Sequence, residues 1–245
     1  MGRDWGRACL DLLFPPHCLG CRVPLPTSRP PLFCSACQAG LVLLTAPLCT
    51  CCGRPLGQLP GAPPASGHRC GACLQSPPGF SKARAAVLYD DTVGRALQTY
   101  KYHGDLAPLA TFAELCRQAP AVAELVTGDY ILPVPLHPSR LRRRGFNQAL
   151  LLAQALFPER RRQIKSRLLV RHRPTRSQAG MSGRHRRLNL RGAFALTEPR
   201  LVVKRRILLV DDVFTTGSTV NECAGVLLAA GAAEVQVLTL ARVRE

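Results

Sequence analysis

The chain has 245 residues, 47% of them hydrophobic, so it can bury the core of one large domain or of a medium domain with a small appendage, and it is not a disordered tail. It lacks the run of about 18 apolar residues that a membrane span needs, and Asp4 and Asp11 interrupt the apolar stretch of a secretion signal, so we expect a cytoplasmic protein without membrane insertion. The net charge of +18 suits polyanionic ligands, whether pyrophosphate or a nucleic-acid backbone.

The first 78 residues are rich in Cys, Pro and Gly and show little periodicity beyond a short opening helix. Eight cysteines form four C-x-x-C pairs, which in series have the spacing of two tetrahedral four-cysteine zinc sites. Because cytosolic thiols stay reduced, a disulfide framework is the less favoured alternative. We therefore predict two structural zinc ions. One site is expected to contain Cys18, Cys21, Cys34 and Cys37, and the other Cys49, Cys52, Cys70 and Cys73.

The grouping of the cysteine pairs has alternatives. The pairs could interleave between the two sites, and His17 and His68 lie beside the cysteines and could substitute as ligands, although four thiolates per site suffice.

Residues 57–68 are interpreted as a loop between the two pairs of the second site, and residues 75–80 as a linker to the next domain. We therefore place a domain boundary near residue 78.

Residues 79–245 show strand-like and helical patterns in alternation. Strands are predicted over 83–89, 130–136, 192–196, 206–210 and 234–241, and helices over 93–102, 109–118, 147–157 and 218–230. This alternation predicts an α/β fold with a mostly parallel sheet flanked by helices. In such sheets the ligand binds at the carboxyl ends of the strands.

The positive charge is concentrated in one segment. Residues 140–206 contain 20 Lys and Arg residues but only two acids, Glu159 and Glu198, so this window carries the whole net charge. The segment suits a polyanion, because its basic runs lie near predicted loops and helix ends. A solvated helix face is the alternative interpretation.

The stretch ILLVDDVFTTGST (207–219) predicts a ligand site. The apolar run places Asp211 and Asp212 at the carboxyl end of a buried strand, and the next residues in the turn that opens a helix, where free N–H groups bind anions. Gly217 allows close backbone approach to a phosphate. The acids would repel a phosphate unless they face hydroxyl groups or a cation, so a phosphorylated sugar with vicinal hydroxyls and Mg²⁺ fits. The proposed phosphate-binding residues are Thr215, Thr216, Gly217, Ser218 and Thr219.

Competing interpretations of this stretch explain less. The chain contains no G-x-x-x-x-G-K-[ST] sequence, and no G-x-G-x-x-G follows a strand. A purely structural helix cap would account for the hydroxyl side chains but leaves the paired acids without a task.

The strand, the two acids and Thr-Thr-Gly-Ser-Thr resemble the ribose-phosphate-binding motif of type I phosphoribosyltransferases. The resemblance implies that Asp211 and Asp212 hold the ribose hydroxyls of phosphoribosyl pyrophosphate and that Thr215 to Thr219 hold its 5′-phosphate. The rest of the chain is similar to the ComF-like branch of that family. The segments that carry this similarity are FPPHCLGC, LQTYKYHGD, ILPVPLHPSRLRRRGFNQA and TRSQAGMSGRHRRLNLRGAF.

The ComF-like resemblance implies a double zinc ribbon over 1–78 and a phosphoribosyltransferase-like domain over 79–245. The loop after the second strand, Pro135 to Asn147, would bind pyrophosphate through Arg140, Arg142, Arg143 and Arg144, and Arg144 joins Asp211 and Asp212 as a candidate catalytic residue. A hood over about 172–190 would close on the ligand, with Arg173, Thr175, Gln178 and Arg187 as its candidates.

Three functions follow from these features. The first is an enzyme that transfers the 5-phosphoribosyl group with Mg²⁺, although no acceptor pocket can be identified from the sequence. The second is a single-stranded-DNA-handling protein of the DNA-uptake machinery, in which phosphate contacts dominate because aromatic residues make up only 5% of the chain. The third is a zinc ribbon that docks on competence-machinery proteins.

Overall fold

A computed structural model describes residues 15–57, 67–102, 106–126, 128–173 and 190–244. The cysteine-rich segment contains two short helices, α1 (Ser35–Gly40) and α2 (Gly71–Gln75), which begin directly after Cys34 and Cys70. The predicted opening helix and the middle of the 57–68 loop lie outside the described residues.

The remainder alternates strands and helices, as the sequence predicts. In chain order these are β1 (Lys82–Leu88), α3 (Asp91–Tyr102), α4 (Ala107–Gln118), α5 (Pro120–Ala123), β2 (Tyr130–Pro133), α6 (Pro138–Arg144), α7 (Gln148–Leu156), a 3₁₀ turn (Pro158–Gln163), β3 (Leu169–Arg171), β4 (Phe194–Leu196), a second 3₁₀ turn (Pro199–Val202), β5 (Arg206–Phe214), α8 (Ser218–Ala229) and β6 (Glu234–Arg242).

Strands β1, β6, β5 and β2 form one parallel sheet in that order, while β3 and β4 form a separate antiparallel hairpin. The predicted parallel sheet flanked by helices is therefore confirmed. Within strand β5, the residues from Ile207 to Val210 are all apolar and buried, because helices cover both faces of the sheet. Its side chains alternate between two core layers: Ile207 and Leu209 lie in one, Leu208 and Val210 in the other.

The cysteine-rich segment packs against the β1 edge of the sheet. The Leu44 N–H donates to the Ala86 carbonyl at 2.9 Å, and the Ala83 N–H donates to the Cys51 carbonyl at 2.6 Å. These bonds cover backbone groups that an edge strand would otherwise expose. The cysteine-rich segment thus shares core and backbone hydrogen bonds with the sheet, and the boundary near residue 78 stays a prediction.

Two predicted elements have different bounds in the structure. Strand β2 ends at Pro133, and the expected loop over 135–147 contains helix α6. Proline at the first helical position and a hydrogen bond from the Ser139 N–H to the His137 ring start this helix, and Gly145, with φ of 84°, ends it. Strand β5 continues beyond the predicted residue 210 to Phe214, because Asp211 and Val213 pair with Thr239 and Ala241 of β6. Within the described residues, no helix is both long and apolar enough to cross a membrane.

Candidate functional site

A cavity of about 250 Å³ lies at the carboxyl edge of the sheet, beyond the end of β2 and beside the last residues of the neighbouring strand β5. It brings together both predicted acids, two of the predicted loop arginines and two of the predicted phosphate-binding residues. The residues that line it are Lys101, Val134, Pro135, Leu136, Arg140, Arg144, Gln148, Arg171, Asp211, Asp212, Val213, Thr215 and Thr219.

The two adjacent acids have different surroundings. Asp212 is buried and forms an ion pair with Lys101, which the last turn of α3 brings to the cavity. Burial opposes the charge on Asp212, but the Lys101 ammonium lowers the pKa of this carboxyl below its ordinary value. Asp211 is only partly buried and lines the cavity, and desolvation together with the Asp212 charge raises its pKa well above the ordinary value. Asp212 therefore anchors Lys101, and Asp211, which accepts a hydrogen bond from the Asp212 N–H, is the acid whose charge is less well compensated.

Helix α6 divides the predicted pyrophosphate-binding arginines into two pairs. Arg140 and Arg144 are four residues apart, so they lie on one helical face, and both line the cavity. Arg144 Nη1 donates to Gln148 Oε1 at 2.6 Å, which holds this guanidinium at the start of α7. Arg142 and Arg143 are exposed and do not line the cavity. The helical period turns Arg142 away from the cavity, and Arg143 lies between these two directions.

Gly217 shapes the turn between β5 and α8. Its φ of 72° lies in the left-handed region, and a Cβ atom placed there would lie 2.5 Å from Cζ of Phe214. No side chain caps α8, and the hydroxyls of Thr216 and Ser218 lie 2.8 Å apart beside its first turn. The turn thus presents hydroxyl groups and a helix N-terminus, which is an arrangement that suits an anion.

The same turn separates two cavities. Thr215 and Thr219 line the cavity that contains the acids, whereas Thr216, Gly217 and Ser218 line a second cavity of about 300 Å³. The second cavity extends to Cys52, Cys70 and Cys73. The structure therefore does not gather all five predicted phosphate-binding residues around one space.

Three polar residues of the acid cavity were not predicted from the sequence: Lys101, Gln148 and Arg171. Arg171 is buried at the end of β3, with its guanidinium 5.3 Å from the centre of the Phe194 ring. Lys101 falls within the LQTYKYHGD segment, but nothing in its spacing indicates which acid it meets. Of the predicted hood residues, Arg173 donates to the Arg191 carbonyl at 2.5 Å, and Thr175, Gln178 and Arg187 lie outside the described residues.

The eight paired cysteines form two clusters with the expected membership and not the interleaved one. The first cluster is Cys18, Cys21, Cys34 and Cys37, the second is Cys49, Cys52, Cys70 and Cys73, and within each the sulfur atoms lie within 4.8 Å of one another. The Sγ atoms of Cys21 and Cys34, and those of Cys52 and Cys70, are 3.6 Å apart. Tetrahedral zinc with bonds of about 2.3 Å requires sulfur atoms about 3.8 Å apart, so the donor sets fit zinc.

In each cluster, backbone hydrogen bonds favour the thiolate form of one cysteine, which is the form that a metal requires. The Cys34 N–H donates to Cys18 Sγ at 3.3 Å, and the Cys70 N–H donates to Cys49 Sγ at 3.2 Å. Burial opposes ionisation of Cys18 and Cys49, but these and other backbone N–H donors lower the pKa of each thiol to about 6.

Comparison with known proteins agrees with this geometry. Residues 9–74 match the family model of the double zinc ribbon domain. The chain is 38% identical over 235 residues to DNA utilization protein YhgH of Salmonella typhi, covering 94% of this chain and 99% of that protein. It is 34% identical over 231 residues to competence protein F of Haemophilus influenzae, covering 92% and 96% of the two chains.

Two more distant similarities complete the comparison. Competence protein ComFC of Streptococcus pneumoniae is 28% identical over 159 residues, which cover 65% of this chain and 67% of that protein. Among solved structures, glutamine phosphoribosylpyrophosphate amidotransferase from B. subtilis, complexed with ADP and GMP, matches with a TM-score of 0.35 and 20% identity over 58% of this chain and 30% of that one. A match of this extent carries no argument about the site.

Proposed function

The chain belongs to the ComF-like family of competence and DNA utilization proteins, and on that premise we propose that it binds phosphoribosyl pyrophosphate, or a similar phosphosugar, with Mg²⁺ and serves DNA uptake or processing in the cytoplasm. One observation carries the proposal. A single cavity at the carboxyl edge of the sheet is lined by two acids, by three arginines and by hydroxyl side chains at the start of a helix.

The three kinds of group suit three parts of one ligand. Asp211 would accept hydrogen bonds from the ribose hydroxyls, and Thr215 and Thr219 would donate to the 5′-phosphate at the start of α8. Arg140 and Arg144 lie on another wall and would bind the pyrophosphate. Asp212 would act through Lys101, which it holds at the cavity wall.

The donor set also fits Mg²⁺, which prefers carboxylate oxygens and substrate phosphates. Asp211 would hold the ion, because a cation there relieves the repulsion from Asp212 that helps to raise the Asp211 pKa. When bound, Mg²⁺ would neutralise negative charge on the pyrophosphate.

In the enzymatic form of the proposal, the bond between the anomeric carbon and the pyrophosphate oxygen breaks, the nucleophilic atom of the acceptor forms a new bond to that carbon and loses its proton, and the pyrophosphate leaves toward Arg140 and Arg144. Asp211, Asp212 and Arg144 are the candidate catalytic residues. Their contribution would be electrostatic, because charge develops on the leaving group in a partly enclosed cavity. Transfer requires an acceptor, so the experiment below measures binding and turnover separately.

A second candidate function, handling of single-stranded DNA, is favoured by exposed basic residues outside the cavity. Arg142 and Arg143 project from α6, and Arg161 and Arg162 are exposed on the 3₁₀ turn at Pro158–Gln163. Such arginines would contact phosphates without reading sequence. Phosphosugar and DNA would then contact different arginines of α6.

Calorimetry with phosphoribosyl pyrophosphate and Mg²⁺, followed by a pyrophosphate-release assay with candidate bases, tests the first function. We expect Arg140→Gln with Arg144→Gln to weaken this binding at least tenfold, which corresponds to about 1.4 kcal/mol. The matched pair Arg142→Gln with Arg143→Gln removes the same charge and should leave it within about twofold. Binding without pyrophosphate release would favour the DNA-handling function, and absence of binding would refute the phosphosugar proposal.

The matched pairs also test DNA binding. Affinity for single-stranded DNA should fall with salt at a log–log slope of about −0.7 per phosphate neutralised. The Arg142→Gln and Arg143→Gln pair should reduce that slope, and the Arg140→Gln and Arg144→Gln pair should change it little. An unchanged slope in the Arg142→Gln and Arg143→Gln variant would place the DNA on another surface, such as the zinc ribbon.

A further inference from the structure

Arg242 connects the second cysteine cluster to the sheet. It is the last residue of β6, and only 3% of it is exposed. Its Nη1 donates to the Cys52 carbonyl at 2.8 Å, and its Nη2 lies 3.8 Å from Cys52 Sγ. A buried guanidinium beside a cysteine cluster both satisfies a backbone carbonyl and offsets thiolate charge, in the way that neighbouring residues orient the ligands of many metal sites.

The other face of the same guanidinium packs on Phe214. The Arg242 Cζ atom lies 4.6 Å from the centre of the Phe214 ring, which is a cation–π distance. Phe214 in turn lies against Gly217, since a Cβ atom on that glycine would have its three shortest contacts with the Phe214 ring, at 2.5, 3.0 and 3.2 Å. A line of contacts therefore runs from Cys52 through Arg242 and Phe214 to Gly217 in the turn between β5 and α8.

The second cavity makes this line of contacts important. Cys52, Cys70 and Cys73 lie on one side of the cavity, and Thr216, Gly217 and Ser218 on the other. An open space of about 300 Å³ therefore lies between the cluster and the turn, and Arg242 and Phe214 form part of its wall. Close packing at the wall transmits a displacement, whereas an open cavity does not.

We propose that Arg242 is a positioning residue that couples the second cysteine cluster to the phosphate-binding turn, so that metal held by this cluster keeps Gly217 and its neighbours in the phosphate-binding conformation. The inference rests on the proposed function, in which this turn binds the phosphate. It assigns the second zinc ribbon a task at the phosphate-binding turn, whereas the first cluster packs against another part of the protein.

Arg84 provides a matched control for Arg242. It is also buried, and its Nη1 donates to the carbonyls of Cys49 and Thr50 at 3.2 and 3.3 Å, in the same cysteine turn that Arg242 contacts. Its other partners are the Ala83 carbonyl, at 2.9 Å from Arg84 Nη1, and Glu124, with Arg84 Nη2 and Glu124 Oε2 2.6 Å apart, and not the phosphate-binding turn. Loss of either arginine should loosen the cysteine turn, but only Arg242 reaches Phe214.

Phe80 is the corresponding control for Phe214. The two rings form an edge-to-face pair with centroids 6.0 Å apart, both are nearly fully buried, and both line the second cavity. The three nearest contacts of a Cβ atom at Gly217 all come from Phe214. Replacing either ring with leucine removes a similar volume from the same core.

The experiment uses the full-length, zinc-loaded protein and inorganic phosphate as the probe, with zinc content and melting temperature recorded for each variant. We expect Arg242→Lys and Phe214→Leu to lower phosphate affinity about tenfold, or about 1.4 kcal/mol. Arg84→Lys and Phe80→Leu should keep it within about twofold at comparable zinc content and melting temperature. A role in stability alone would lower affinity equally in both members of each pair.

The outcomes separate this inference from the function on which it rests. If the wild-type protein binds phosphate and neither Arg242→Lys nor Phe214→Leu weakens that binding, or if the Arg84 and Phe80 controls weaken it as much, the coupling is refuted and the phosphate site stands. If the wild-type protein binds no phosphate, the proposed function fails and the inference fails with it. Should Arg242→Lys not fold, the Phe214→Leu and Phe80→Leu pair decides alone.

Discussion

The two cysteine clusters have the same ligand spacing but different surroundings. All four ligands of the second cluster are buried, whereas Cys21 of the first is exposed and Cys34 and Cys37 are partly exposed. The second cluster packs in the core layer on one face of strands β5 and β6, together with helix α8, and the first packs in the layer on the other face, together with helices α3 and α4. Identical metal-binding chemistry thus supports different parts of the protein, because burial and neighbours, and not ligand type, decide what each metal stabilises.

The first cluster lies against helix α3. Arg95 of this helix donates through Nε to the Gly20 carbonyl at 2.6 Å, and Arg22 Nη2 donates to Thr99 Oγ1 at 2.8 Å. The last turn of α3 carries Lys101, which pairs with Asp212. The first cluster therefore supports the acid side of the cavity, and in our proposal the second supports the turn predicted to bind phosphate.

The largest expected effect is loss of a ligand from the second cluster. Structural zinc contributes about 10 kcal/mol to small metal-binding folds, which is comparable to the whole stability of a typical domain. Cys52→Ser should therefore abolish the cooperative thermal transition, whereas Cys21→Ser should lose one of about two zinc ions and keep a transition at lower temperature. Circular dichroism and zinc analysis of freshly reduced protein measure both effects. A larger loss in Cys21→Ser would reverse the comparison.

Lys101→Met tests the end of the helix that the first cluster supports. It leaves the Asp212 carboxylate buried without its cation, and we expect a loss of about 3 kcal/mol in the free energy of unfolding. The double variant Lys101→Met, Asp212→Asn removes the unpaired charge and should recover most of this loss. Urea denaturation measures both variants. An equal loss in the single and double variants would mean that the ion pair is not the cause.

Gly217→Ala tests the turn that the second cluster supports, with Gly145→Ala as its control. Both glycines have positive φ, at 72° and 84°, but a Cβ atom would contact Phe214 at Gly217 and nothing within 4 Å at Gly145. We expect Gly145→Ala to lower the free energy of unfolding by about 1 kcal/mol because of backbone strain. Gly217→Ala should lower it by about 1–2 kcal/mol more because of the clash with the Phe214 ring. Phosphate affinity, measured by calorimetry, should fall only in Gly217→Ala. Equal losses in the free energy of unfolding of the two variants would mean that contact with the Phe214 ring is not the cause.

The pH dependence of ligand binding tests whether Asp211 contacts the ribose and not the phosphate. Its raised pKa means that it becomes protonated, and loses the charge that Mg²⁺ requires, at a higher pH than an ordinary aspartate. Affinity for phosphoribosyl pyrophosphate with Mg²⁺ should therefore decrease as pH falls through this raised pKa. Asp211→Asn should lower the affinity about tenfold at neutral pH and flatten the pH dependence, with inorganic phosphate binding nearly unchanged. Parallel loss of both ligands would contradict the assignment of Asp211 to the ribose.

Local sequence patterns were sufficient for the parts of the protein that depend on nearby residues. C-x-x-C spacing identified all eight cysteines of the two clusters, since two sulfur atoms separated by one turn can reach the same metal. The apolar run before Asp211 and Asp212 indicated the buried strand that ends at the cavity, because strand burial follows the hydrophobic pattern. The alternation of strands and helices predicted the parallel sheet.

Contacts between distant residues were decided by the tertiary structure alone. The choice of Asp212 as the partner of Lys101, and the bond from Arg242 to Cys52, which are 190 positions apart, depend on which helices and strands pack together. The sequence predicted the α6 arginines only in part. Their charge is evident from the sequence, but the expected loop is a helix, in which Arg140 and Arg144 line the cavity and Arg142 and Arg143 are exposed. The spacing of residues along the chain determines which cysteines can bind the same metal and which residues form one strand. Burial in the folded core determines which charged side chains must pair.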